Sequence, residues 1–256
     1  MDFKDLLESI IQISTKAGDK IIDIYNLPSN SLKVDYKSDS SPLTIADKAS
    51  NKIIISGLEK LNQNIPILSE EEKEINFKLR KKWDIFWLVD PLDGTKEFIK
   101  RNGEFTVNIA LIKDGNPIMG VVYAPVLKKT WYGLVNHGSY LIHKNDKPKK
   151  INALDKKDGT TKIVSSRSHS NNPRLEKFIQ EFKEYELVKM GSSIKMCLVA
   201  DGSAHYYPRF GPTMEWDTGA AHAVVKYAGA NIYNLNTGEE LIYNKENLLN
   251  PEFIVK

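Results

Sequence analysis

The stretch Ile85–Thr95, IFWLVDPLDGT, joins an apolar run to two carboxylates that lie three residues apart. The run 85–89 is typical of a buried strand. Asp90 and Asp93 follow it, with a proline and a glycine that bend the backbone. Two acids held this close repel one another unless a cation lies between them. Oxygen ligands favour a hard ion, so the stretch predicts a Mg²⁺ rather than a Zn²⁺ site, of a kind that handles phosphate.

The composition sets limits on the class of protein. The chain has 256 residues, 41% of them apolar, and 36 basic against 33 acidic side chains. This length allows one large domain or two intimate halves. The charge balance argues against nucleic acid or a membrane surface as the main partner. Cys197 is the single cysteine and only five basic residues are arginine, so no internal disulfide is expected and each arginine merits attention.

The hydrophobic pattern of the first part predicts helices followed by an antiparallel meander. We expect helices over 3–25 and 44–62, strands over 65–68 and 85–89, and hairpins over 105–123 and 130–143. A Lys- and Asp-rich stretch, 144–160, is the predicted boundary between an N-terminal metal-binding half, 1–150, and a C-terminal half, 151–256.

The second half alternates strands with helices, which indicates layered α/β packing. The predicted strands are 163–165, 186–190 and 204–207, and the predicted helices are 173–184, 192–200 and 217–227.

Acidic residues end or begin elements that are far apart in the sequence. Glu70 and Glu71 follow the strand 65–68, and Asp217 stands at a helix N-terminus. Taken singly, these acids could be a solvated loop and a helix cap. Taken with Asp90 and Asp93, they supply the several oxygens that a Mg²⁺ site takes from protein.

Asp47 has two interpretations. It lies three residues after Thr44 and would close a capping box there. It could also accept a hydrogen bond from Thr95, and a threonine held in this way can orient a water that a metal acidifies.

Two segments are candidates for holding phosphate. The loop Gly191–Lys195 opens a helix, where backbone N–H groups bind anions, but it could equally be an ordinary cap. Arg209 stands in a stiff aromatic turn and could clamp a second phosphate or pack on Tyr207. His169 is a weaker candidate, since a histidine in a loop is usually just solvated.

Three motifs in order resemble the Mg²⁺-dependent, lithium-sensitive phosphatases of the inositol monophosphatase superfamily. They are residues 37–47 (KSDSSPLTIAD), 90–95 (DPLDGT) and 216–221 (WDTGAA). The resemblance implies an α+β layered fold, a five-layer αβαβα sandwich of the sugar-phosphatase type. It also implies an antiparallel meander sheet in the N-terminal half and a smaller mixed sheet in the C-terminal half.

Within the superfamily, residues 95–110, 191–195 and 207–213 are similar to the 3'(2'),5'-bisphosphate nucleotidases. That similarity implies hydrolysis of adenosine 3',5'-bisphosphate to AMP and phosphate, a recycling step linked to sulfate assimilation. Two alternatives stay open. One is an inositol monophosphatase or fructose-1,6-bisphosphatase, and the other is a catalytically silent nucleotide- or metal-binding protein.

The resemblance also implies roles for individual residues. Asp47 and Thr95 would activate water. Two or three Mg²⁺ ions, displaced by Li⁺ on inhibition, would take their ligands from Glu70, Asp90, Leu92 (through its carbonyl), Asp93 and Asp217. The substrate would be contacted by Gly94, Thr95, His169, Ser192, Lys195, Arg209 and Asp217.

The expected partner is a small molecule, with no nucleic acid and no stable insertion into a membrane. A charged N-terminus and the lack of a long apolar run favour a cytoplasmic protein. The resemblance is compatible with a homodimer and with peripheral association at the inner membrane face.

Overall fold

The computed structural model describes residues 3–28, 34–36, 42–61, 64–153, 159–167 and 172–256. Its helices are α1 (Phe3–Tyr25), α2 (Ile45–Leu61), α3 (Phe77–Arg80), α4 (Thr95–Ile99), α5 (Pro173–Ile179), α6 (Ile194–Ala200) and α7 (Glu215–Tyr227). Its first nine strands are β1 (Val34–Tyr36), β2 (Pro42–Thr44), β3 (Ile67–Ser69), β4 (Ile85–Asp93), β5 (Thr106–Lys113), β6 (Asn116–Ala124), β7 (Lys129–Leu134), β8 (Gly138–His143) and β9 (Lys149–Ile151). The remaining strands are β10 (Thr161–Ser166), β11 (Tyr185–Met190), β12 (Tyr207–Arg209), β13 (Ile232–Asn234) and β14 (Phe253–Val255).

A seven-stranded sheet runs in the order β3-β4-β5-β6-β7-β8-β9. Strands β4 to β9 form the predicted antiparallel meander, whereas β3 pairs with β4 in parallel. The edge strand β9 lies inside the segment 144–160 that the sequence assigned to a boundary. Lysines are common on edge strands, where they hinder pairing with other chains, so composition alone could not separate this strand from a linker.

The C-terminal half holds the smaller mixed sheet that was expected. Strands β10 and β11 are parallel, and β12, β14 and β13 are antiparallel in that order. A parallel bridge from Ile163 to Tyr206 connects the two groups. The strand predicted at 204–207 lies instead at 207–209, and the predicted helix 173–184 ends at Ile179.

Five layers follow from which faces are buried. Trp87 packs with helices α1 and α2 on one face of the large sheet, while Leu88 packs with α6 and α7 on the other, as the alternation of a strand requires. The smaller sheet lies beyond α6 and α7. Phe178 of α5 then covers the outer face of that sheet, through Ile163 and Ile254. The expected αβαβα sandwich is confirmed. None of the helices in the described ranges is both long enough and apolar enough to cross a membrane.

Helix α7 approaches the large sheet so closely that side chains are excluded at two positions. A Cβ on Gly120 of β6 would lie 2.2 Å from the carbonyl oxygen of Ala220. A Cβ on Gly133 of β7 would lie 2.5 Å from the carbonyl oxygen of Ala223. Both obstacles are helix backbone, which cannot rotate away. This packing fixes the position of α7, and therefore of Asp217 near its start.

Replacing Gly120 with alanine is expected to lower the free energy of unfolding by about 3 kcal/mol, because overpacking forces the helix off the sheet. Urea unfolding followed by circular dichroism measures the change. Gly211→Ala is the control, since its Cβ would meet nothing closer than 3.5 Å; its stability should be unchanged or slightly increased. Equal stability of the Gly120 variant and the wild type would contradict this packing.

Candidate active site

A bulge at the end of β4 brings its two carboxylates to the same side. Asp90 pairs with Asn108 and Asp93 pairs with Thr106, so β4 has one more residue than β5 across this interval. In a regular strand, residues three apart point to opposite faces. The extra residue reverses that relation, so the side chains of both acids point to the same face at the end of the strand.

Three carboxylates from three different elements meet at this point. Ser69 of β3 pairs with Val89 of β4, so the next residues along, Glu70 and Asp90, lie level with each other. Asp217 enters from the first turn of α7. One oxygen from each of Glu70, Asp90 and Asp217 lies within 4.8 Å of the others. Of the two glutamates left open by the sequence, Glu70 is therefore the member of the cluster.

The cluster is strained electrostatically. Burial, reinforced by the neighbouring negative charges, raises the pKa of Asp90 well above its usual range, and it does the same for Asp217. A divalent cation would compensate that charge. The donors are all carboxylate oxygens, which is the set that Mg²⁺ prefers, so the residues present fit this ion.

Asp47 makes both of the hydrogen-bonding contacts that the sequence left open. Its Oδ2 accepts hydrogen bonds from the backbone N–H and the hydroxyl of Thr44, at 2.7 and 2.6 Å, which caps α2. Its Oδ1 accepts a hydrogen bond from the Thr95 hydroxyl at 3.1 Å. Asp47 is 2% exposed, and burial raises its pKa against these hydrogen bonds. The same hydroxyl of Thr95 lies 3.3 Å from the carbonyl oxygen of Leu92.

The loop before α6 is tied to the end of β4 through Asp93. The Oδ2 atom of Asp93 accepts hydrogen bonds from the Ser192 hydroxyl at 2.7 Å and from the Ser193 N–H at 2.5 Å. Thr106 links the two serine hydroxyls, at 2.6 and 2.8 Å, and Ser193 also donates to Asn108. Sequence reasoning missed Ser193, Thr106 and Asn108. The signal was present, because Thr106 and Asn108 are polar residues on one face of an otherwise apolar strand.

Two cations lie next to this loop. Lys195 is 7% exposed, and its ammonium donates to the carbonyl oxygen of Ser192 at 2.5 Å and lies 5.4 Å from the centre of the Tyr207 ring. Burial lowers the pKa of Lys195 to about 8, although Asp93 opposes the shift. Arg209 donates to the carbonyl oxygen of Pro212 at 3.0 Å.

A cleft of about 860 Å³ exposes most of these groups, a volume that suits a ligand of nucleotide size. Its lining includes eight of the predicted site residues: Glu70, Asp93, Gly94, Thr95, Ser192, Lys195, Arg209 and Asp217. Asp47, Asp90 and Leu92 are buried just behind its wall. His169 and residues 37–41 of the first motif lie outside the described residues.

The comparisons with known proteins agree with this geometry. The model of the inositol monophosphatase family matches residues 2–253. The 3'(2'),5'-bisphosphate nucleotidase CysQ of Salmonella typhimurium is 45% identical over 98% of this chain and 99% of its own length. The protein of the same name from Escherichia coli K12 is 44% identical over the same shares. A crystal structure of CysQ from Bacteroides thetaiotaomicron covers 100% of this chain and 98% of its own, with a TM-score of 0.87 and 43% identity.

The chain belongs to the inositol monophosphatase family. Asp93, the loop before α6 and the N-terminus of α7 line one cleft, and they belong to the segments 90–95, 191–195 and 216–221 that resemble the family.

The carboxylate cluster predicts how the protein responds to Mg²⁺. Adding Mg²⁺ at a hundredfold excess over its Kd should stabilise the wild type by about 2.7 kcal/mol. Asp90→Asn keeps the shape of the side chain and its acceptor for the Leu92 N–H. This variant should be at least as stable as the wild type without metal, because repulsion is relieved, and it should lose the response to Mg²⁺. Thermal unfolding and titration calorimetry measure both effects.

Asp114→Asn is the matched control, because Asp114 is exposed in the β5–β6 turn. Its response to Mg²⁺ should equal that of the wild type. A full response in the Asp90 variant would contradict the assignment of the metal site.

Proposed function

We propose that this protein is a Mg²⁺-dependent phosphatase that removes the 3'-phosphate of adenosine 3',5'-bisphosphate, giving AMP and phosphate. The observation that carries the proposal is one cleft whose lining includes members of the carboxylate cluster together with Lys195 and Arg209. The first matches a metal-held scissile phosphate and the second matches another phosphate on the same substrate. The similarity to bisphosphate nucleotidases along nearly the whole chain supports this choice of substrate.

The proposed metal ligands are groups at the end of β4 and the carboxylates that cluster with them. Two or three Mg²⁺ ions would be held by Glu70, Asp90, the carbonyl of Leu92, Asp93 and Asp217. When bound, these ions would neutralise phosphate oxygens and lower the pKa of a water. Inhibition by Li⁺ would follow from its occupying one of these positions.

Asp47 and Thr95 would orient the attacking water. Thr95 lines the cleft and its hydroxyl donates to buried Asp47, so a lone pair of the hydroxyl oxygen would be left for a water in the cleft. That lone pair can accept a hydrogen from water and turn the water oxygen toward phosphorus, and the carboxylate behind it can take up the proton. The attack would be in line with the leaving 3'-oxygen, without a covalent enzyme intermediate.

The remaining proposed contacts hold the substrate. Gly94 has a φ of 90°, and with Thr95 it would present backbone N–H groups to the scissile phosphate. Ser192, Lys195 and Arg209 would hold the nucleotide and its second phosphate. Asp217 would contact the reacting group, and His169 would lie near the base.

A phosphate-release assay with Mg²⁺ tests the proposal. Adenosine 3',5'-bisphosphate should have a kcat/KM at least tenfold above those of inositol 1-phosphate and fructose 1,6-bisphosphate. Inositol 1-phosphate has a single phosphate and leaves the cations at 195 and 209 without a partner, and fructose 1,6-bisphosphate has a second phosphate but lacks the nucleoside that the cleft would hold. Li⁺ should inhibit, whereas K⁺ at the same concentration should not. Preference for either sugar phosphate would overturn the choice of substrate, and release from none of the three would overturn the assignment as a phosphatase.

The lowered pKa of Lys195 predicts a pH dependence. Burial lowers the pKa of the Lys195 ammonium to about 8, and the charged form is the one that attracts phosphate, so kcat/KM for the bisphosphate should fall as the pH rises through about 8. Lys195→Arg stays charged in this range and should lose that limb of the profile while having a lower kcat/KM at pH 7. Lys226→Arg, at the far end of α7, is the control and should keep it. The same fall in kcat/KM near pH 8 in the Lys195→Arg variant would contradict the assignment of this pH dependence to Lys195.

A further inference from the structure

An ion pair joins the end of β10 to the segment between α4 and β5. Arg167 donates through Nε to Oε2 of Glu104 at 2.6 Å and through Nη2 to Oε1 at 2.5 Å. The side chain of Glu104 is 11% exposed and that of Arg167 is 43% exposed. Glu104 also raises the pKa of Arg167, mainly through this hydrogen bonding. A two-point pair of this kind fixes orientation as well as distance, and a lysine could not reproduce it.

Glu104 makes a third contact, with the loop Gly191–Ser193. Its Oε2 also accepts the backbone N–H of Gly191 at 2.8 Å. The two segments are pressed together, since a Cβ on Gly191 would lie 2.8 Å from the carbonyl oxygen of Glu104. On the other side, a Cβ on Gly94 would lie 3.1 Å from the same oxygen. Glu104 therefore lies between the two loops that meet at the cleft.

The loop held by Glu104 leads into helix α6, which carries Lys195, one of the cations that line the cleft. The residue after Gly191 is Ser192, whose φ is 55° and whose carbonyl oxygen accepts the Lys195 ammonium at 2.5 Å. The far side of the loop is held independently, since Asp93 accepts from Ser192 and Ser193. The Ser192 carbonyl belongs to the same planar peptide unit as the Ser193 N–H that Asp93 holds. Releasing Gly191 would therefore remove one of the two contacts that fix this carbonyl and leave only the contact to Asp93.

We propose that Glu104 and Arg167 are a positioning pair that sets substrate specificity: the pair holds the Gly191–Ser193 loop so that Lys195 meets the second phosphate of a bisphosphorylated nucleotide. This inference rests on the proposed function. It adds two residues that influence substrate specificity but are not among the substrate contacts named above. Neither residue is part of the cleft lining. Their effect reaches the substrate through Gly191 and the Ser192 carbonyl.

The test compares KM and kcat of Arg167→Ala, Glu104→Gln and the double variant for two substrates. For adenosine 3',5'-bisphosphate, each single variant should raise KM about tenfold and change kcat less than threefold. For adenosine 3'-monophosphate, which lacks the second phosphate, KM should change less than twofold. The KM of the double variant should be no higher than that of the single variant with the higher KM, because both changes break the same pair. Arg167→Lys, which keeps the charge but not both contacts, should have an intermediate KM.

Lys226→Ala is the matched control, because it breaks an ion pair with Glu240 that lies outside the cleft lining. It should leave both KM values unchanged even if it lowers the melting temperature. Equal rises in KM for the two substrates, or effects of the single variants that add, would overturn the inference. So would a rise in KM for Arg167→Ala without one for Glu104→Gln, since Arg167 would then act on the substrate itself. Wild-type protein without activity on the bisphosphate would instead overturn the proposed function.

Discussion

Mutual repulsion between three clustered carboxylates, one buried and two half-buried, is the constraint on which this structure depends. Glu70, Asp90 and Asp217 come from a parallel strand pair and a helix that crosses the sheet, and no local turn could hold them together. The packing of the surrounding elements holds these side chains together against their repulsion. Two glycines let α7 lie directly on β6 and β7, and a bulge turns the end of β4. Holding these charges together lowers the stability of the protein without metal, and binding of a cation would raise that stability again.

The architecture was largely accessible from the sequence because long periodic segments carry strong signals. Helix α1, the buried strand β4 and the two hairpins lie close to their predicted positions. The three-residue strands β13 and β14 were missed, since three residues show no periodicity and their pairing depends on distant partners. The lysine-rich strand β9 was assigned to a boundary, because a charged edge strand and a solvated linker have the same composition.

The site was accessible in part. The acids at 70, 90 and 217 could be selected because each follows or begins a predicted element, and the resemblance linked them. What the sequence could not show is how loops hold one another. Thr106 meets Ser192 across 86 positions of chain and Arg167 meets Glu104 across 63. Such contacts depend on the packing of the two sheets, and spacing does not encode them. The scarcity of arginine was the one hint, since the guanidinium is the group suited to two-point contacts.

The central claim is that the carboxylates at the end of β4, after β3 and at the start of α7 bind divalent metal together. Crystals grown with Mn²⁺ in place of Mg²⁺, measured at a wavelength where manganese scatters anomalously, test it most directly. An anomalous difference peak should lie within about 2.3 Å of oxygens of Glu70, Asp90 and Asp217. Peaks only elsewhere on the surface, with these three carboxylates turned away from one another, would contradict it.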